Sequence, residues 1–445
     1  MGIYLQLIKG VKIMRKMKWS LAVLLTSSVA LSACSGGSAP AKNEANPNKG
    51  KPAAKQTVNF LYALAGANGE IVQSLAKKFN ESQDKYTVNP TFVPPDQRME
   101  KIFTEIAAGS PPDLFTAGPP DIAALRGSKG LMTIDELMKD KPKKIKADQF
   151  YESLRPVIMK DDKMWGVPIS AGVAALYYNE DLFKQAGLTK PPETWEEVVE
   201  YAKKLTDPSK NQWGLLLPTK EVLFTNNQWS AFLWQNGGDY FTPDMKQATF
   251  NSPKGVEALQ LWVDLVQKHK VTPLQQMDEN TITQTFATGK VGMFIGFPLW
   301  ITQSKAFPFV TKTAQLPKRE KAATYLGGWY LTVPSESKNK DGAYEFIQFL
   351  LQPENSAAWN IGMGSLPTQP ATLQTKEYQE FVSKTPLVEP FSKSLNEAIA
   401  PPPTENYSKV GTTISKAIVK ALYGKLTPQQ ALDEAAQEAN KLLQK

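Results

Sequence analysis

The sequence predicts an α/β protein built from two lobes. The chain has 445 residues, more than a single domain of usual size needs. From Thr57 onward, short apolar runs alternate with amphipathic helical stretches, the pattern of a parallel sheet covered by helices. A further strand pattern begins at Gly166, with its own helices after it, so one sheet does not account for the whole body.

The elements follow in order. VNFLYAL (58–64) reads as a buried strand. EIVQSLAKKFNESQ places Ile71, Leu75 and Phe79 on one face at helical spacing. YTVNPTFV is a second strand, RMEKIFTEIAAGS a helix and PDLFTA a short strand, completing β-α-β-α-β. GVPISAGVAALYYN (166–179) carries the next strand. Thr194 with Glu197 forms the S/T-x-x-E capping box that opens a helix. Further helices are expected at 254–269, 341–351 and 428–444. No repeat of fixed period is present, and no segment of the body is apolar and long enough to cross a bilayer.

Composition excludes several function classes. One Cys and one His leave no internal disulfide and argue against a Cys/His zinc site. The net charge of +8 suggests a nucleic-acid binder until it is mapped. Five of those charges lie in residues 1–33 and three in 35–56, so 57–445 is formally neutral. A folded face that grips phosphates needs basic charge of its own. No nucleic-acid partner, cofactor, metal site or catalytic residue is expected.

Residues 1–33 read as a secretory signal. Lys12, Arg15, Lys16 and Lys18 precede an uncharged stretch from Trp19 to Ala33 that is too short to span a membrane. Met14 or Met17 would serve equally well as the start. Leu31-Ser32-Ala33-Cys34 resembles a bacterial lipobox, whose Cys is diacylated and becomes the mature N-terminus. The single cysteine, Cys34, would then carry the palmitate-type anchor, and two or three acyl chains hold a protein durably to a membrane. Residues 34–56, rich in Gly, Pro, Ala, Asn and Lys, read as a disordered tether. The expected location is the outer face of a bacterial cytoplasmic membrane, as on a Gram-positive cell surface.

The stretch GVPISAGVAALYYNEDLFKQAGLTKPPETWEEVVEYAKKL resembles the extracellular solute-binding proteins of carbohydrate ABC importers, the family that includes maltose-binding protein. AAGSPPDLFTA (107–117), FLWQNGGDYF (232–241), FATGKVGMFIGFP (286–298), GGWYLTVPSES (327–337), GAYEFIQFLLQPE (342–354), GMGSLPT (362–368) and LTPQQALDEAAQEANKLL (426–443) follow in the family's order. The resemblance implies a two-lobed periplasmic-binding-protein fold, each lobe a mainly parallel sheet flanked by helices, with a ligand cleft at a three-segment hinge. The crossings fall near Ile169–Val173, Gly327–Thr332 and Ile361–Pro367. Lobe one would comprise 57–169 plus 332–362, and lobe two 173–328 plus 366–445. A monomer is expected, delivering a sugar or oligosaccharide to ABC permease subunits.

A sugar site needs aromatic plates for its C–H faces and polar side chains for its hydroxyl edges. Trp329, after Gly327-Gly328 at a crossing, sits where the family often places such a plate, or else it packs the hinge. Trp300 lies one residue beyond the family's stacking position, which here is Leu299. Thr225, Asn227, Gln228 and Trp229 fall in the range before Gly237-Gly238 that lines the family's cleft. Asn68 and Glu70 lie in the loop after the first strand, where Glu70 serves equally as a first-turn helix acid. Asp121 is a hydroxyl-contact candidate, Asp113 a structural one. Met363 and Ser365 lie in the third crossing. At the first crossing, maltose-binding protein has an acidic contact where this chain has Gly172. Trp195, Trp234 and Trp262 read as core, Trp165 as open, and His269 as a cation at a helix C-terminus.

Two other functions stay open. The loop LAGANGE also resembles the glycerol-phosphate or phosphodiester-binding branch, for which Arg98 and Arg126 are the candidate cations. A secreted glycosidase would need two carboxylates about 5–9.5 Å apart across the cleft. A sugar sensor with the same fold is a variant of the leading reading.

Overall fold

The computed structural model describes residues 54–64, 66–94 and 97–444; the leader and Cys34 lie outside them. Lys55 and Gln56, expected in the tether, belong to the folded body. The Lys55 ammonium donates to the carbonyls of Asn80 and Gln83, each at 2.6 Å, and Gln56 opens the first strand.

The alternation seen in sequence becomes β1 (Gln56–Tyr62), α1 (Ala67–Ser82), β2 (Tyr86–Phe92), α2 (Arg98–Ala107), β3 (Leu114–Ala117) and α3 (Pro119–Gly127). β1 pairs in parallel with β2 on one side and β3 on the other. The chain therefore winds first one way from β1 and then the other. In such sheets the loops at the carboxyl ends of the strands, beside the reversal, form a ligand crevice.

β4 (Val167–Val173) follows, and β5 (Ala175–Asn179) comes after a single residue. The second sheet contains β5, β6 (Trp213–Leu216), β7 (Val291–Gly296) and β8 (Thr311–Ala314), in the order β8-β5-β7-β6. β9 (Thr324–Thr332) then returns to the first sheet, and β10 (Ala398–Ile399) borders it. β9 is long enough to pair with β10 at its start, β4 along its middle and β3 at its end. The two sheets define the two lobes, and three chain segments lie side by side between them. β4 is antiparallel to β9, and Ala171 and Leu366 exchange backbone hydrogen bonds of 2.8 and 2.9 Å.

Two cores fill the body: the first runs from the first sheet across to Tyr177, Phe294 and Trp300 of the second lobe, and the other lies on the second lobe's side. Phe60, Phe115, Ile122, Phe346 and Trp359 are among the fully buried side chains of the first. The second contains Trp195, Trp234 and Trp262 together with Phe232, Phe250 and Ile414. The Trp195–Leu205 helix shows why the periodicity is readable: Trp195, Val198, Tyr201, Ala202 and Leu205 are buried along one stripe. Thr194 caps it by accepting from the Glu197 N–H at 3.2 Å. The capping box is half formed, because the Glu197 carboxylate takes the Glu193 N–H at 2.6 Å instead of that of Thr194. The helix expected over 254–269 is regular to Val263 and widens into a π-helical turn over Asp264–Lys268. No helix among the described residues is long and apolar enough to cross a membrane.

Candidate functional site

The carboxyl edge of the first sheet gathers the starts of three helices. α1 begins after β1 with Asn68 half-buried and Glu70 exposed. α2 begins after β2 with Arg98, and α3 begins after β3 with Asp121 in its first turn. Arg98 and Asp121 meet as an ion pair, each 8% exposed. The Asp121 carboxylate also accepts the Gly118 N–H at 2.7 Å, closing the N-terminus of α3. Asp121 is thus held by a cation and a backbone donor instead of standing free for a hydroxyl.

Trp329 reaches the same place from β9. Its neighbour Tyr330 pairs with Ala117 at the end of β3. The β4–β9 register slips beside it: Trp329 faces Ser170 and Tyr330 faces Pro168, so Ile169 is the extra residue of a bulge in β4. On β9, Gly328 permits the close approach to β4: its φ is +134°, and a Cβ there would collide with the Ser170 carbonyl. Trp329 remains half-buried, with the Arg98 guanidinium carbon 5.2 Å from its ring centroid. That distance is within cation–π range. On the neighbouring strands β1 and β2, Tyr62 packs on Phe92 at 5.9 Å, and Phe92 is 43% exposed. Sequence reasoning passed over both, although each lies at the carboxyl end of its strand.

The edge of the second lobe is built differently. Trp300, a stacking candidate by position, is a core residue. It is 3% exposed and packs on Phe294 at 5.3 Å and Tyr177 at 6.3 Å. The turn after Gly296 points the indole inward, and Leu299, which carries no ring, is the exposed residue. Trp229 has no exposure and belongs to the second core. Thr225 is also fully buried, its hydroxyl donating to the Lys220 carbonyl at 2.6 Å. Gln228 is 1% exposed; its amide nitrogen donates to the Ile295 carbonyl at 3.4 Å, and its Oε1 has no partner. Asn227 stays half-buried, with Oδ1 accepting from the Tyr407 hydroxyl at 3.0 Å. That bond belongs to a network in which the Asn226 amide also bonds Tyr407 and Tyr240. The helix Leu223–Gln235 is buried nearly all round, its polar residues included, so counting positions before Gly237 does not reveal its exposed face.

Phe297, absent from the sequence candidates, is half-buried at the hinge. Its ring meets Tyr325 at 6.2 Å, and a Cβ on Gly172 would lie 3.9 Å from it. At the third crossing Met363 is 4% exposed within the first core, and the Ser365 hydroxyl donates to Asn360 at 2.8 Å. Asp113 is structural: its carboxylate accepts from the backbone of Asn59, Lys338 and Asn339 and from Ser337. Arg126 donates to the Pro403 carbonyl at 3.2 Å.

Two acids stand beside each other near the loop that follows β6. Asp278 accepts from Lys220 and Thr281, and these bonds hold its carboxyl down at about 2. Burial pushes Glu279 up to about 7, with the neighbouring Asp278 charge adding to the effect. Among the described residues, no group of three or more His, Cys, Asp and Glu side chains could hold a metal.

Two lobes, three side-by-side crossings and helix starts facing the reversal of the first sheet are the architecture of a two-lobed binding protein. The chain matches the family model of bacterial extracellular solute-binding proteins over residues 43–357, and it belongs to that family. It is 26% identical to the sn-glycerol-3-phosphate-binding periplasmic protein UgpB of Salmonella typhimurium over 89% of this chain and 94% of that one. An ABC transporter solute-binding protein from Thermotoga lettingae, bound with α-D-tagatose, superposes with a TM-score of 0.77. It shares 27% identity, over 87% of this chain and 100% of its own. The cyclic α-maltosyl-1,6-maltose binding protein of Arthrobacter globiformis gives 0.76 at 27% identity, covering 87% and 99%.

Proposed function

We propose that the chain captures a sugar or oligosaccharide between its lobes and delivers it, chemically unchanged, to the permease of an ABC importer. The observation that carries this reading is the Trp329–Arg98–Asp121 group. An aromatic plate at the hinge suits the C–H face of a sugar ring. The cation beside it is already neutralised, so the site favours a neutral polyol over a phosphate. The tagatose- and maltosyl-maltose-binding relatives support the same class.

Within this reading, Trp329 is the plate, Asn68, Glu70 and Asn227 are edge contacts, and Phe92, Phe297 and Leu299 line the apolar wall. The buried Thr225, Gln228, Trp229, Trp300 and Met363 shape the cleft from behind. Lobe one is assigned to 57–169 plus 332–362 and lobe two to 173–328 plus the C-terminal part. The helix Lys376–Lys384 packs on Pro353–Met363, so lobe two resumes after it instead of at 366. The proposal extends to a Cys34-anchored monomer on the outer face of the membrane.

A glycerol-phosphate ligand is the second reading, favoured by the 26% identical UgpB. Against it, Arg98 is paired with Asp121, and Arg126 is bonded to Pro403 with the carboxylates of Asp161 and Glu405 near. A thermal-shift panel of α-D-tagatose, maltotriose, cyclic α-maltosyl-1,6-maltose and sn-glycerol-3-phosphate separates the two. A ligand at 100 times its Kd adds about 2.7 kcal/mol to stability, a shift of a few degrees for a body this size. A shift with a sugar, recovered intact, is the expected result. A shift with the phosphate alone replaces the sugar reading, and hydrolysed sugar replaces the binding one.

A further inference from the structure

Trp329 is a plate only if its ring is held still. We infer that Arg98 and Asp121 are positioning residues that act through Trp329, clamping the indole so that its uncovered side stacks on the ligand. This rests on the sugar-binding reading above and names the device that prepares that site.

Four observations carry it. The guanidinium carbon of Arg98 stands 5.2 Å from the Trp329 centroid, so a cation lies over the ring. Asp121 fixes that cation with an ion pair and is itself fixed by the Gly118 N–H at 2.7 Å. Both charged side chains are buried, yet the indole they hold keeps partial exposure. The backbone under Trp329 lies opposite the bulge in β4, with Gly328 before it in a conformation other residues resist. The group joins the ends of β2 and β3 to the strand that crosses between the lobes.

A buried ion pair is a poor source of stability, because desolvating two charges offsets most of their attraction. A pair placed against an aromatic plate has another use. It removes rotational freedom before the ligand arrives, so binding loses less entropy in ordering the site. Lysine cannot replace arginine here: an ammonium can satisfy Asp121, but it has no plane to lie along the indole.

The test uses the full chain, its Arg98→Lys and Asp121→Asn variants, and each of these combined with Trp329→Ala or Trp329→Phe. Acrylamide quenching of each protein, minus that of the same protein carrying Trp329→Phe, isolates Trp329 without any ligand. Loosening the clamp is expected to raise that quenching at least twofold in both variants. Calorimetric titration with the tightest-binding sugar of the panel should show about a fivefold to tenfold loss for Arg98→Lys and no further loss on Trp329→Ala. Unchanged Trp329 quenching overturns the clamp, as does an affinity loss that persists at full size on Trp329→Ala. If Trp329→Ala itself leaves affinity intact, the sugar-site reading fails, while the quenching result still decides whether the clamp exists. Asp121→Asn keeps the side-chain shape and guards against a variant that does not fold.

Discussion

The two lobes offer aromatic rings to the hinge in opposite ways. In the first, Trp329 stands on β9 opposite a bulge in β4, gripped by a buried cation and left partly open. In the second, Trp300 sits at an equally suggestive position but turns into a stack of Tyr177 and Phe294. The difference is mechanical. A bulge breaks the ladder locally and bends the pair of strands, which can keep a side chain beside it from packing inward, whereas a tight turn closing a sheet core draws its bulky residue inward to fill space. An aromatic near a hinge is therefore a contact only where the backbone prevents it from joining a core.

The strongest way to break this comparison is to truncate both rings. Trp300→Ala should cost about 3–5 kcal/mol of stability, as loss of a buried indole does, read by denaturant unfolding. A loss below 1 kcal/mol would return Trp300 to the cleft. Gly328→Ala should cost about 2–4 kcal/mol, because a β-carbon meets the Ser170 carbonyl and φ is unsuited to it. If it melts like the parent, the close approach of β9 to β4 does not depend on glycine. Trp329→Ala should do the reverse of Trp300→Ala, weakening ligand more than tenfold, at least about 1.4 kcal/mol, with little change in melting.

Glu279 sharpens the comparison from the side of the second lobe. Its folded value of about 7 lies above its ordinary value of 4.5. Between those values the folded state holds the extra proton, so stability falls as pH rises through the window. Glu279→Gln should flatten that slope and raise stability at pH 8 by about 1 kcal/mol. Its surroundings are dense but its own atoms keep partial exposure, which limits the gain. A slope unchanged by the substitution would assign it to another group. The smallest effect belongs to Thr194→Ala, expected to cost about 1 kcal/mol through loss of a helix cap, with no change in ligand affinity.

Most of the architecture is legible in the sequence. The period-two and helical patterns locate β1 to α3, and the order of short stretches points to a two-lobed binding protein. Asp113 and the core tryptophans Trp195 and Trp262 are also found where their surroundings in sequence place them. The site was less legible. Arg98 appeared as a cation awaiting a phosphate because its partner Asp121 is distant in sequence. Phe92 and Phe297 carry no local mark that separates them from core residues, and counting along the helix from Leu223 to Gln235 could not separate the half-buried Asn227 from the buried Trp229.

Local pattern and composition determined the strands, the helices, the neutral body and the family, since each depends on neighbours a few residues apart or on order along the chain. Tertiary structure alone decided which tryptophan stays open, which charges cancel and which face of a helix meets the cleft. Those outcomes depend on distances between segments the chain brings together only by folding. A register slip of one residue at Trp329 is enough to change what a ligand would meet.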